Sequence, residues 1–211
     1  GEIIMKEKLV TEFLGTFIFY TVIVFSAVAG LAGNIAPLAI GICLTSLVFA
    51  SGHRSFAHFN PAVTFSFFLV KKQSFKEMLA YWITVLLAAF SASKVAEIIY
   101  PEISNISLLV LNLKAAAASE FIFTFALVWV ILNVALAKKL ENNNFYGIAI
   151  GFIVAAGAFS VGSISGASFN PAVSIGLLSN GIISSSTFFI YTAVQLIAAL
   201  LAALIFKNLE K

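Results

Sequence analysis

The triplet Asn-Pro-Ala occurs twice, at Asn60-Pro61-Ala62 and at Asn170-Pro171-Ala172, and its surroundings repeat with it. Ala57-His58-Phe59-Asn60-Pro61-Ala62-Val63-Thr64 stands against Ala167-Ser168-Phe169-Asn170-Pro171-Ala172-Val173-Ser174, an offset of 170 − 60 = 110 residues in a chain of 211. Asn is a favoured helix N-cap, and Pro suits the first helical position, where its missing N–H would be unpaired anyway. The chain therefore starts a helix twice, at equivalent points of two diverged copies, and each start lies inside apolar sequence.

Composition says what surrounds those starts. With 61% hydrophobic and 10% charged residues and a mean hydropathy of +1.07, the chain has too little polar residue to cover a soluble core. The lipid bilayer is the expected environment. A net charge of +3 without a basic stripe gives no nucleic-acid signal, and the single Cys43 excludes a disulfide within the chain. Six apolar segments, at 9–29, 35–52, 76–100, 116–137, 145–162 and 185–206, approach the roughly 20 residues that cross a bilayer. The first is read as a span rather than a cleaved leader. Two shorter apolar runs, 60–70 and 170–179, begin at the Asn-Pro pairs and reach only about half-way across at 1.5 Å per residue. The expected fold is an all-α membrane protein of six transmembrane helices plus two re-entrant half-helices, a single channel-like domain over 1–211.

The duplication extends further. Thr11-Glu12-Phe13 pairs with Ser119-Glu120-Phe121 at an offset of 108, while Gly41 pairs with Gly151 and Tyr81 with Tyr191 at 110. Two repeats, about 1–105 and 106–211, each read span, span, half-helix, span. Three full spans is an odd number, so the second repeat enters the membrane inverted. With the N-terminus in the cytoplasm, Lys6, Lys8, Arg54, Lys71, Lys72, Lys76, Lys138, Lys139, Lys207 and Lys211 fall inside and only Lys94 and Lys114 outside, as the positive-inside rule requires. Both termini are expected to be cytoplasmic. Gly41 and Gly151 are expected to let spans approach closely.

Non-helical backbone at membrane depth survives only inside protein or beside a watery cavity. Two half-helices meeting at the midplane therefore imply a polar pore. Each N-terminus carries about half a positive charge, and Asn60 and Asn170 offer amide donors to the lumen. A neutral hydrogen-bonding solute is held there, whereas a cation meets two positive dipole ends with no carboxylate to offset them. The segments Gly52–Phe59 and Gly162–Phe169 are expected to be extended, with carbonyl oxygens as acceptors.

Gly52-His53, His58-Phe59-Asn60-Pro61-Ala62-Val63-Thr64 and Asn170-Pro171-Ala172 at this spacing resemble the signature of the aquaporin, or major intrinsic protein, family, over essentially the whole chain. The resemblance implies one pore per subunit, a homotetramer, and water and small neutral solutes as cargo. No nucleophile–base constellation or metal-ligand spacing appears in the sequence, so no enzymatic activity, cofactor or metal is expected. The resemblance makes Glu12 and Glu120 anchors for the loop backbones, and places His53 and His58 in the first pore loop. The family narrows its outer mouth with four residues, which by spacing are Ile40, Ala158, Ala167 and Val173 here. Val173 stands where an Arg is usual, and Ser174 where glycerol-type members carry Asp. The expected filter is wide, apolar and uncharged, with relaxed solute selectivity. Against it stands closure of the pore by Ile40 and bulky neighbours such as Phe159. Phe56 takes a position usually held by Gly, either filling space behind the first half-helix or protruding into the cytoplasmic mouth.

Two other readings share parts of this pattern. An alternating-access transporter also uses inverted repeats and half-helices, but it wants a coupling carboxylate at the midplane, and neither Asn-Pro-Ala is flanked by a charge. A poorly conducting or gated junction-type channel would keep the fold and lose the flux.

Overall fold

In the computed structural model, which describes residues 4–210, the ordered elements are helical: α1 (Met5–Ile23), α2 (Ala36–Ser55), α3 (Pro61–Leu69), α4 (Phe75–Ile99), α5 (Leu113–Leu136), α6 (Tyr146–Ser165), α7 (Pro171–Ser179) and α8 (Ser185–Leu209). Lys211, counted above for orientation, lies outside the described residues. Six of the helices are long and apolar enough to cross a membrane, and no strand occurs among the described residues. α3 and α7 have nine residues each, about 14 Å of helix, and cannot cross.

Local chemistry sets the helix ends. Ser74 caps α4 in a capping box, its hydroxyl accepting from the Glu77 N–H while the Glu77 carboxylate accepts from the Ser74 N–H. Ser184 caps α8 in the same position of the second repeat by accepting from the Thr187 N–H. α1 runs into a π-helical turn over Val24–Val28, a feature that re-aims side chains and recurs at functional sites. α5 has no such turn.

α2 and α6 continue to Ser55 and Ser165, beyond the expected start of the extended segments at Gly52 and Gly162. Each stops where the next residue turns left-handed, Phe56 at φ 66° and Gly166 at φ 81°, with its N–H closing the last turn on the carbonyl of Gly52 or Gly162. Only 56–59 and 166–169 are non-helical.

Packing follows the repeat. α1 lies on α4 and α5 on α8, α2 crosses α6, and each half-helix packs on the last span of the other repeat, α3 on α8 and α7 on α4. Small residues let these contacts close: Ala88, Ala89 and Ala92 of α4 and Ala198, Ala199, Ala202 and Ala203 of α8 are wholly buried. At the α2–α6 crossing, a Cβ on Gly41 would lie 2.8 Å from the Gly151 carbonyl oxygen and 2.7 Å from the Ala155 methyl. The opposite faces carry Leu14, Ile83, Leu87, Phe152 and Phe159 outward, as a bilayer-facing surface does. Phe159 is 58% exposed, so it stands away from the pore axis and does not close it.

Candidate pore

Each half-helix begins on its Asn. Asn60 Oδ1 accepts from the Ala62 N–H at 2.8 Å, and Asn170 Oδ1 from the Ala172 N–H at 2.8 Å. The two caps also hold each other. Asn60 Nδ2 donates to the Phe169 carbonyl at 3.0 Å, and Asn170 Nδ2 donates to the Phe59 carbonyl at 2.8 Å. One N–H of each amide is thus spent locking the loops together, which leaves one of the two for the lumen. The sequence shows the caps; it does not show this exchange, which joins residues more than a hundred positions apart.

The loops hang on two carboxylates. Glu12 accepts from the Ser55 hydroxyl at 2.7 Å, the His58 N–H at 2.9 Å and the Phe59 N–H at 2.7 Å. Glu120 accepts from the Ser165 hydroxyl at 2.7 Å, the Ser168 N–H at 2.9 Å, the Phe169 N–H at 2.6 Å and the Gln195 amide at 2.9 Å. Both are fully buried, where a carboxyl group persists only with such partners. Ser55 and Ser165, 110 positions apart, complete each anchor, and the Tyr81 and Tyr191 hydroxyls donate to their carbonyls at 3.0 and 2.7 Å. The serine pair was legible in the repeat and was not among the sequence-derived anchors.

Backbone strain repeats as well. Ala57, Phe59, Ala167 and Phe169 all have φ near 50°, a left-handed conformation that costs non-glycine residues energy. The rings of Phe59 and Phe169 are buried. A Cβ on Gly15 would lie 2.7 Å from Phe59 Cδ1, and one on Gly157 would lie 2.7 Å from Phe169 Cε2.

Three cavities lie in succession. The outer one, on the side opposite the termini, has a volume of about 310 Å³, and its wall includes Ile40, Ala158, Ala167, Leu177 and Ile182. The middle one holds Asn60 and Asn170 and measures about 30 Å³. The third, on the side of the termini, measures about 330 Å³ and is lined by Phe56, Glu141, Asn143 and Tyr146 among others. Phe19, Val154 and Ser168 belong to both the outer and middle cavities, and Ala57, Ile131 and Ile150 to both the middle and terminus-side ones. Shared walls make the three adjacent, with the asparagine-lined one between the other two.

Of the four expected filter positions, Ile40, Ala158 and Ala167 share the outer cavity. Val173 is 3% exposed and is not among its lining residues; the branched side chain is too short to leave the α7 wall, and Leu177, one turn on, meets the cavity instead. Leu109 closes the rim: its N–H donates to the Ile182 carbonyl at 2.9 Å, across 73 residues. The outer wall contains one hydroxyl side chain, Ser168, and its Oγ already pairs with Ser174 Oγ at 2.6 Å and with the Asn170 carbonyl at 3.0 Å. His58 is buried on the middle cavity, with Nδ1 3.1 Å from Thr64 Oγ1. His53, expected in the first pore loop, is instead exposed on the last turn of α2 and lines none of the three cavities, because the helix continues to Ser55 before the loop begins. Phe56 protrudes: it is 54% exposed and lines the terminus-side cavity. Sequence reasoning missed Phe19, Leu109, Leu177 and Ile182, whose types are those of any apolar helix or loop.

Known proteins are similar to this chain in sequence and fold. The chain is 34% identical to aquaporin NIP3-1 of Arabidopsis thaliana, over 81% of this chain and 57% of that protein. It is 34% identical to nodulin-26 of Glycine max, over 81% and 66%, and 28% identical to aquaporin AqpM of Methanothermobacter thermautotrophicus, over 97% and 98%. It thus spans less than two thirds of the length of the first two. An X-ray structure of the aquaglyceroporin from Plasmodium falciparum superposes with a TM-score of 0.75 at 25% identity, covering 96% of this chain and 94% of that one. The family described as major intrinsic protein matches residues 2–206, and with paired Asn caps, carboxylate-hung loops and a path between them, this chain belongs to it.

Proposed function

We propose that the protein is a passive transmembrane channel for water and small uncharged solutes. The observation that carries this is the run of three cavities that meets the paired asparagines at its centre. A solute there accepts from the free N–H of Asn60 or Asn170 and otherwise meets a mostly apolar wall, so it is held weakly and leaves readily. Cations are excluded because two helix N-termini face the same point. The outer mouth, with Ile40, Ala158 and Ala167 on its wall, offers width and no fixed charge. Such a filter admits neutral solutes by their low cost of dehydration rather than by replacement hydrogen bonds.

The side of the termini is cytoplasmic, on the Lys and Arg distribution. The working unit is a homotetramer with one pore per subunit, as family membership suggests. The test is stopped-flow light scattering on proteoliposomes. An impermeant osmotic gradient should give water flux well above empty liposomes, and a gradient of a small neutral solute such as ammonia should dissipate faster than in empty liposomes. Flux equal to empty liposomes in both would refute the channel.

A further inference from the structure

The outer filter is the place where a channel of this architecture is expected to sort solutes by size, yet here three of its four positions line the roomy outer cavity. The outer cavity measures about 310 Å³ and the middle one about 30 Å³, a tenfold difference. The smaller figure holds roughly one or two water molecules. Two of the three expected filter residues on the outer wall, Ala158 and Ala167, contribute only a methyl group.

The middle cavity has one unyielding side. Asn60 and Asn170 are tied to each other's loop carbonyls at 3.0 and 2.8 Å, and those loops are hung on Glu12 and Glu120, so the polar wall cannot spread. Apart from His58 and Ser168, its remaining wall is apolar, and its bulkier members Phe19, Leu127 and Val154 are 5%, 5% and 7% exposed. Phe19 and Val154 also belong to the outer cavity, which places them at the junction where the path contracts.

We infer that solute size is selected at the midplane, by a collar of Phe19, Leu127 and Val154 closed against Asn60 and Asn170, and that the wide outer filter does not set the cut-off. This rests on the channel reading above and deepens it. The collar admits neutral molecules no wider than water that present one acceptor to an asparagine N–H, such as water and ammonia. It rejects a polyol, which is too broad for the cavity and brings more hydroxyls than the few polar groups of its wall can pair.

The full chain in proteoliposomes tests this with water, ammonia, urea and glycerol gradients. The wild type should pass water and ammonia and hold glycerol at the rate of empty liposomes. Phe19→Ala and Val154→Ala should each raise the glycerol-to-water permeability ratio about tenfold, equivalent to about 1.4 kcal/mol off the barrier. Ala167→Leu, which narrows the outer cavity, should slow water and ammonia alike, leave the ammonia-to-water ratio in place, and leave glycerol at the rate of empty liposomes. If Phe19→Ala fails to assemble, the milder Val154→Ala decides. Glycerol passage by the wild type overturns the inference. So does a glycerol permeability that moves with Ala167→Leu and not with the collar variants, or that moves with none of them. Absence of water flux in the wild type overturns the channel reading itself, and this inference with it.

Discussion

Phe56 shows most plainly how one residue departs from its repeat partner. It occupies the left-handed position at φ 66° that Gly166 holds at φ 81° in the second repeat. A Cβ in that conformation costs about 1 kcal/mol relative to glycine. The ring recovers part of this against Phe67, at a centroid separation of 5.7 Å. Phe56→Ala loses the ring and keeps the strain, whereas Phe56→Gly loses the ring and relieves it. Phe56→Gly should therefore be more stable than Phe56→Ala by about 1 kcal/mol, read as the higher thermal midpoint in detergent. Neither change should raise water flux by more than about twofold, because the ring lines a 330 Å³ cavity while the resistance of a path lies at its narrowest point.

The two half-helices are alike in length and capping and differ in how their far ends are held. The α7 end is tied by polar bonds. Tyr20 of α1 donates to Asn180 Oδ1 at 2.7 Å, and Asn180 Nδ2 donates to Glu97 of α4 at 2.8 Å and to the Ser93 carbonyl at 3.2 Å. Lys94 donates to the Ser179 carbonyl at 3.0 Å and to Glu97, which satisfies an orphan group at the C-terminus of α7. Gly176 makes room for the tyrosine, since a Cβ there would lie 2.8 Å from Tyr20 Cδ2. The counterparts around α3 are Val128 of α5, Ser66 and Val70, which cannot form that network. α7 also supplies Leu177 to the outer cavity, so this buttress holds part of the outer wall. Tyr20→Phe removes one buried hydrogen bond and strands Asn180 Oδ1, and should cost about 1–2 kcal/mol of stability. Val128→Ala, the matching position in α5, leaves no polar group stranded. The check is thermal unfolding of the full chain, with the tyrosine variant showing the larger loss of outer-wall rigidity in hydrogen exchange over 177–183.

Across the whole molecule, the half-helices bind the repeats together, because each packs on the last span of the other copy. Their N-termini are thereby brought to one point, and their half-charges add there. Proteoliposomes holding the protein should show potassium leakage no greater than empty ones. Asn60→Asp should weaken that barrier by placing a carboxylate where the dipoles converge, and the measurement is potassium flux under a gradient.

The chain order of eight helical elements, the half-length of two of them and the glutamates at matching offsets could all be read before any coordinates. Each depends on spacing along the chain: helix rise against bilayer thickness, Asn-Pro at a helix start, and duplication that repeats the chemistry. The expected filter could be placed by counting, and three of its four members meet one cavity. What counting could not supply is where side chains end relative to a shared void. Val173 lies in the wall and Leu177 at the surface because of the phase of α7. Phe19, an unremarked phenylalanine among 22 in the chain, reaches the junction of two cavities because of how α1 packs. The reciprocal asparagine–carbonyl bonds join residues 109 and 111 positions apart. Local spacing names the parts of such a pore, while its width at each depth comes from packing between helices distant in sequence.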